Sequence, residues 1–151
     1  MSEAKRPQAL ELGADHAVDP RGGDALQVVK DWTGGGVDLA VELAGAVPVL
    51  EFACGITRRG GTTVTAGLPN PQATMSLPAV SLTAEERVLK GSYVGSCVPV
   101  RDIPRFARMM QSGALPIEKL MTHRLQLSEI NEGFERIAAG DAIRQVVIFD
   151  E

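Results

Sequence analysis

The apolar residues of this chain fall into short runs and helical stripes that alternate along the sequence. The run over residues 37–43 (VDLAVEL) is rich in valine and leucine, follows three glycines and stops at Ala44 and Gly45. Short apolar runs bounded in this way are typical of strands buried on both faces of a parallel sheet. The pattern therefore predicts a strand over residues 37–43.

The segment after this strand has the pattern of a crossover helix. Pro48 suits a first helical turn, because its missing N–H needs no partner there. Small and apolar side chains then recur at helical spacing, at Leu50, Ala53, Cys54 and Thr57. We expect the glycines at 60–61 to end the helix and residues 62–66 (TTVTA) to form a second, parallel strand. Such strand–helix–strand units are nearly always right-handed.

The flanking segments continue the alternation. We predict a first helix capped by Ser2 and ended by Gly13, a short strand over residues 16–19, and a helix over residues 25–32 capped by Asp24. Residues 70–86 are rich in Pro, Ser and Thr, and we expect them to be mostly loop. Residues 88–94 (VLKGSYV) are predicted to form a strand.

The C-terminal third carries two further helical patterns. Asp102 is predicted to cap a helix that has Pro104 in its first turn and a buried stripe at Ile103, Phe106, Ala107 and Met110. Residues 121–125 are predicted to be an extended link. Ser128 is predicted to cap a helix carrying Ile130, Phe134 and Ile137, and residues 145–149 a final buried strand. Strands alternating with helices predict an α/β fold with a doubly wound parallel sheet.

Composition and charge exclude several classes of function. The chain has 151 residues, about the length of one domain, and a net charge of -4 with no basic cluster, so we expect no nucleic-acid partner. No apolar run approaches the roughly 20 residues of a membrane span, and the N-terminus lacks the apolar core of a signal peptide. Two widely separated cysteines fit a reducing compartment, which predicts a cytoplasmic protein.

Four chemically active side chains have ordinary structural interpretations. Cys54 lies on a predicted buried stripe and is expected to be a packed thiol, whereas Cys97 follows a Gly-Ser loop that could expose it. His123 is predicted to be a hydrogen-bonded residue of an extended link rather than a base. Glu42 is unusual inside an apolar strand: either it is paired, or it faces a cleft.

Several segments together resemble the medium-chain, zinc-type alcohol dehydrogenases. They occur in the family's order and at its spacings, and they are ELGADHAVDP, TGGGVDLAVELAG, RRGGTTVTAGLP, LKGSYVGS, MTHRLQLSEINEGFERI and IRQVVIF. The resemblance covers essentially the whole chain and implies that residues 1–151 are a truncated dinucleotide-binding domain. It implies a Rossmann-like sheet that lacks its first strands, and hydride transfer between an alcohol and NAD with a zinc ion polarising the alcohol oxygen.

The same resemblance assigns cofactor contacts to particular residues. On the adenosine side these are Lys5, Leu43 and Ala44. Around the nicotinamide they are Ala66, Gly67 and Leu68, with backbone groups of Ser92, Tyr93 and Val94 at the carboxamide. Arg144 matches the arginine that pairs with the pyrophosphate, a role that suits a guanidinium. The ordinary alternatives are that Lys5 and Arg144 are solvated and that the small and apolar residues belong to the core.

Two parts of the family's machinery have no counterpart in the sequence. The phosphate-binding motif G-x-G-x-x-G is absent, because the glycines at 34–36 precede a strand instead of following one. The family's acidic ribose contact would fall before Met1, so NAD is preferred over NADP here only as the family's default. The cysteines and histidines present, Cys54, Cys97, His16 and His123, do not replace the family's zinc ligands.

Two other functions remain open at this point. The resemblance implies that residues 88–94 pair subunits edge to edge, so the chain is predicted to form a dimer or larger homo-oligomer. Because exposed strand edges are templates for another chain, this region could also dock on a full-length relative, which would make the chain a non-catalytic interaction module. A small nucleotide binder that retains only the adenosine-side contacts is the third interpretation. The substrate alcohol or aldehyde is not specified by these residues.

Overall fold

The computed structural model describes residues 5–149, which form two compact units, residues 5–97 and residues 98–149. The predicted cap Ser2 lies outside the described residues. The first unit contains helices α1 (Lys5–Glu11), α2 (Ala25–Thr33), α3 (Val47–Ile56) and α4 (Val80–Thr83), and strands β1 (Val37–Glu42), β2 (Thr57–Thr65) and β3 (Val88–Gly91). The second contains α5 (Pro99–Gln111), β4 (Met121–Gln126), α6 (Ile130–Ala139) and β5 (Arg144–Ile148).

The first unit is built on a parallel sheet with the strand order β1-β2-β3. Helix α3 connects β1 to β2 and packs on both strands, and α2 packs against α3. Leu50, Ala53 and Cys54 of α3 are buried, as their helical spacing predicts. The α/β fold, its parallel sheet and the unit of strand, crossover helix and strand are therefore confirmed. The burial of β1 on both faces is not, because Leu39 and Val41 on one face are exposed.

Helix α3 ends earlier, and β2 begins earlier, than predicted. Thr57 is extended and fully buried, and its hydroxyl donates to the Ala53 carbonyl at 2.8 Å and contacts Thr63 Oγ1 at 2.7 Å. The register of β1 against β2 jumps from Val37↔Thr57 to Leu39↔Thr62, so the glycines at 60–61 form an irregularity inside the strand. They do not end the helix.

Two other strand predictions in the first unit are wrong in part. Residues 16–19 form no strand; the His16 ring instead stacks on Trp32 with centroids 4.4 Å apart. Strand β3 stops at Gly91, and a short 3-10 turn follows over Tyr93–Ser96. The turn holds Val94 at φ 49°, a left-handed conformation that ends the extended run predicted to reach residue 94.

The second unit contains a two-stranded parallel sheet, β4-β5, with α6 packed on β4. The predicted link at 121–125 is thus a strand, because it pairs with β5. Gly133 of α6 is buried beside the Leu125 side chain, where a Cβ would lie 2.6 Å from Leu125 Cδ1. The His123 ring contacts the Thr122 hydroxyl at 3.0 Å, so the predicted hydrogen bond is present.

The caps and the burial predicted for the second unit are wrong. Helix α5 begins at Pro99 with Val98 as its N-cap; Asp102 lies one turn inside and accepts the Val98 N–H at 2.8 Å, and Pro104 is internal. Ser128 lies in a 3-10 turn whose capping box is formed by Gln126 and Glu129. Several apolar side chains predicted to be buried, in the α5 stripe and the final strand, are instead exposed, at Ile103, Phe106, Met110, Val146, Ile148 and Phe149. Phe134 and Ile137 of α6 are exposed as well.

Candidate functional site at the carboxyl edge of the first sheet

The carboxyl ends of β1, β2 and β3 meet at one edge of the first sheet. Residues 43–46 follow β1 and residues 66–69 follow β2, and because the strands are parallel neighbours both turns lie at the same edge. The Ser92 N–H, just after β3, donates to the Thr65 carbonyl at 2.9 Å and brings the third strand end alongside. Open parallel sheets bind ligands outside such carboxyl ends, so this edge is the candidate site.

The two turns touch through glycine backbones. A Cβ on Gly67 would collide with the backbone nitrogen of Gly45, and a Cβ on Gly45 would lie 2.6 Å from the Leu68 carbonyl oxygen. Gly45 also has φ 68°, a conformation that other residues rarely adopt. Only glycine at both positions permits this contact, which brings the backbone of one turn against that of the other.

Glu42, the last residue of β1, ties the two turns together. Its side chain is 2% exposed; Oε1 accepts the Gly45 N–H at 2.7 Å and Oε2 accepts the Thr65 hydroxyl at 3.0 Å. Its backbone carbonyl also accepts the Ala66 N–H at 2.9 Å. Of the two alternatives that the sequence left open for Glu42, the structure contains the paired one, and the carboxylate fixes the shape of the edge.

Two large apolar side chains are exposed where these turns face outward. Leu43 is 72% exposed and Leu68 is 75% exposed, and Ala44 beside them is exposed as well. Exposed leucines above small residues suit a flat, apolar ring. The edge therefore combines a rigid, hydrogen-bonded base with an uncovered apolar rim.

The structure brings together six of the residues that the sequence assigned to cofactor contacts. Leu43, Ala44, Ala66, Gly67 and Leu68 form the two turns, and Ser92 joins them through its backbone. Tyr93 and Val94 follow in the 3-10 turn with exposed side chains.

Lys5 and Arg144 lie on other elements. Lys5 opens helix α1. Arg144 begins β5 in the second unit, where its side chain is exposed and its carbonyl accepts the Thr122 hydroxyl at 3.0 Å. Their assignment to the cofactor stays a prediction.

Thr65 is the residue at this edge that the sequence analysis missed. Its hydroxyl completes the pairing of Glu42 and its carbonyl receives the Ser92 N–H. A signal was available, because an acid at the end of one apolar strand and a hydroxyl at the end of its parallel neighbour fall at the same level of the sheet. The register pairs Glu42 with Thr65.

The thiol of Cys54 lies within the core of the first unit. Burial raises its pKa above the usual value, and a hydrogen bond from the Thr63 side chain only partly opposes this effect. A protonated, buried thiol is a poor nucleophile. The prediction of a packed core cysteine is confirmed.

No zinc site is found within residues 5–149. Among these residues no group of three or more His, Cys, Asp or Glu side chains is placed to hold a metal ion. The donors that a catalytic zinc requires are therefore not gathered at the candidate site or elsewhere in the described structure.

The described helices include none that is long and apolar enough to cross a membrane.

Comparison with known proteins gives a consistent result. The family model for zinc-binding dehydrogenases matches residues 1–112. The geraniol dehydrogenase of Castellaniella defragrans is 36% identical over 147 residues, and the NDMA-dependent alcohol dehydrogenase of Amycolatopsis methanolica is 37% identical over 147 residues. These matches take in 97% and 95% of this chain but 39% and 40% of the relatives, so the chain spans about two fifths of their length.

Solved structures share the fold. An alcohol dehydrogenase zinc-binding domain protein from Burkholderia ambifaria superimposes with a TM-score of 0.92 at 26% identity, over 99% of this chain and 40% of the other. A benzyl alcohol dehydrogenase from Acinetobacter calcoaceticus gives the same TM-score at 24% identity, and the match covers 99% of this chain and 41% of the benzyl alcohol dehydrogenase. At that identity the second likeness concerns the fold alone.

Proposed function

This chain belongs to the zinc-binding dehydrogenase family, and on that premise we propose that it supplies the C-terminal portion of the NAD-binding part of an alcohol dehydrogenase. The reaction of such an enzyme moves a hydride between an alcohol and NAD. The observation that carries the proposal is the carboxyl edge of the first sheet, where two glycine turns locked by Glu42 present Leu43 and Leu68 to solvent.

The residues of this edge fit one side of a dinucleotide. The exposed leucines offer apolar surface for the rings, and the glycines at 45 and 67 let the two turns that carry these leucines lie against each other. Leu43 and Ala44 would hold the adenosine, and residues 66–68 with the backbone of residues 92–94 the nicotinamide. Lys5 and Arg144 would contact the ribose and the pyrophosphate.

The chemistry of the bound cofactor would be acceptance or donation of hydride at its nicotinamide ring. The role of this chain is to bind and orient that ring and to keep water from one of its faces. A catalytic zinc does not fit the described residues, so we derive no zinc step from them and expect no alcohol turnover by this chain alone. Both thiols are outside disulfides, which fits the reducing cytoplasm that we propose as its location.

Calorimetric titration with NADH tests the cofactor proposal. We expect saturable binding by the 151-residue chain, together with a rise in melting temperature as NADH is added. Leu68→Ala should weaken binding roughly fivefold to thirtyfold, because a leucine side chain covered by the ligand contributes about 1 to 2 kcal/mol of apolar contact.

Leu127→Ala is the matched control for this experiment. Leu127 is also an exposed leucine, but it lies in a 3-10 turn of the second unit, and its loss should leave the affinity unchanged. Equal weakening by both variants, or no heat with the unaltered chain, would overturn the assignment of this edge to NAD.

The second candidate function is self-association through β3. This strand forms an edge of the first sheet, and all four of its residues are exposed. Unpaired strand edges are templates for another chain, so we propose that two copies pair there as a dimer.

Sedimentation equilibrium at tens of micromolar tests the dimer. We expect the unaltered chain to be dimeric and Val88→Lys to dissociate it, because this lysine would join Lys90 on the same face of the strand and repel the partner's pair. A monomer at these concentrations, or a variant as dimeric as its parent, would remove the proposal.

A further inference from the structure

A second cavity lies on the helical face of the first sheet, away from the carboxyl edge. It has a volume of about 310 Å³, opens to solvent, and is lined by residues of α2, α3, the segment around α4 and β3. Small-molecule sites begin at roughly 300 Å³, so the cavity is large enough for a compact ligand. None of residues 43–46 or 66–69 lines it, so it is distinct from the candidate cofactor site.

The walls of this cavity are mainly apolar. They include Leu26 of α2 and the side chains of Leu77, Pro78, Val80, Leu82 and Leu89. Gly55 lies in the floor, where a Cβ would be 2.6 Å from Leu26 Cδ1, so glycine there lets the two helices approach without filling the space. An apolar body is the part of a ligand that these walls would recognise.

Three of the four charged residues around the cavity already have protein partners. Arg87 donates to the Cys54 carbonyl at 2.6 Å, and its Nε lies 2.7 Å from Glu85 Oε2. The Nε–H is not aimed at that oxygen, so this contact is a charge pair rather than a hydrogen bond. Glu51 accepts the Ser76 N–H at 3.0 Å.

Lys30 is the fourth charged residue. It lies in the last turn of α2, is half-buried, and forms no ion pair with any residue of the described chain. Its ammonium group is therefore available to an anion that enters the cavity. The carboxylates of Glu51 and Glu85 also line the cavity and would repel a dianion, so a single negative charge fits best.

We propose that this cavity binds a small monocarboxylic acid with an apolar body, the carboxylate toward Lys30 and the body against the leucines of α2, α4 and β3. The ligand class follows from an apolar wall beside one cation that has no ion-pair partner. The site is independent of the proposed NAD-binding edge and would be a second ligand site of the chain.

Calorimetry with phenylbutyrate and with its neutral amide, phenylbutyramide, tests the proposal on the full chain. We expect phenylbutyrate to bind saturably and more tightly than the amide. Lys30→Gln should weaken phenylbutyrate about twofold to fivefold, as expected for loss of a partly exposed ion pair, and leave the amide unchanged. Lys90→Gln, an exposed lysine on β3 outside the cavity, is the matched control and should change neither affinity.

A filling variant tests the location. Ser81→Phe places a ring from α4 in the cavity and should abolish binding of both compounds while the melting temperature of the chain shows that it remains folded. No binding of phenylbutyrate by the unaltered chain would overturn the proposal. Equal affinity for acid and amide, an equal effect of the two lysine variants, or full binding by Ser81→Phe would each overturn it as well.

Discussion

Helix α3 in the first unit and helix α6 in the second carry similar apolar stripes in different surroundings. In α3, Leu50 is 9% exposed, and Ala53 and Cys54 are buried with it against β1 and β2. In α6, Phe134 is 62% exposed, and Ile137 is exposed to a similar degree. The buried residue of α6 is Gly133, which packs on β4 from the neighbouring face of the helix.

The two helices differ in how much sheet surface covers their apolar side chains. The first sheet has three strands and a full face for α3, whereas the second has two strands and contacts α6 near Leu125. An apolar stripe stabilises a helix only when another surface covers it. We therefore expect the two stripes to differ sharply in their contribution to the free energy of unfolding.

Shortening one apolar side chain in each helix is the test with the largest expected effect. Leu50→Ala should lower the free energy of unfolding by roughly 2 to 4 kcal/mol, because it removes buried methyl groups and leaves a cavity. Phe134→Ala should change it by no more than about 0.5 kcal/mol, because the ring is mostly solvated. Urea unfolding followed by Trp32 fluorescence reports on the first unit, and hydrogen exchange of the α6 amides reports on the second.

A large effect of Phe134→Ala would contradict the comparison as drawn. It would mean that the α6 stripe is covered in solution, and its dependence on protein concentration would show whether a second copy covers it. A small effect of Leu50→Ala would equally contradict the burial of the α3 stripe.

Two glutamates show the same difference between a buried and an exposed side chain, and the expected changes in unfolding free energy are smaller. Glu42 is buried and holds the Gly45 N–H and the Thr65 hydroxyl, whereas Glu132 of α6 is exposed and pairs with Arg136 at 3.2 Å. Glu42→Ala leaves buried donors without an acceptor, which should cost about 1 to 3 kcal/mol of unfolding free energy. Glu132→Ala should cost about 0.3 to 0.5 kcal/mol, the usual contribution of such a pair on a helix.

Urea titration of both variants measures this difference. Glu42→Gln is the informative intermediate, because its amide oxygen can still accept the Gly45 N–H, and it should recover part of the loss seen with alanine. Equal losses for Glu42→Ala and Glu132→Ala would show that the buried carboxylate does not secure the two turns.

The elements that local sequence patterns predicted best are strand β1 and helix α2, which lie close to their predicted bounds. The three glycines before β1 and the apolar spacing of α3 are local signals, although α3 ends before the glycines at 60–61. Strand β4 was missed because its sequence (MTHRLQ) is largely polar and its extended form depends on pairing with β5, about twenty residues away.

The candidate site was also predictable in part: its position was predicted from the sequence, but its internal hydrogen bonds were not. Parallel strands place residues 43–45 and 66–68 at one edge, and the structure confirms that these turns meet. The bond from Thr65 to Glu42 depends on register, which the sequence did not specify. Exposure of the α5 and α6 stripes was not predictable, because a stripe shows which face is apolar but not whether a surface exists to cover it.

The reaction rates of the two thiols test the same difference between buried and accessible side chains, with the smallest expected effect on the fold. Cys54 is buried on the α3 stripe, and burial raises its pKa, whereas Cys97 is half-buried in the turn after β3. At pH 8 iodoacetamide should modify Cys97 first, with Cys54 slower by a factor on the order of 100, because the reaction needs an accessible thiolate. Cys97→Ser isolates the slow thiol, Cys54→Ser isolates the fast one, and unfolding in urea should bring the two rates together. Equal rates in the folded chain would place the α3 stripe in contact with solvent, and would undo the distinction between α3 and α6.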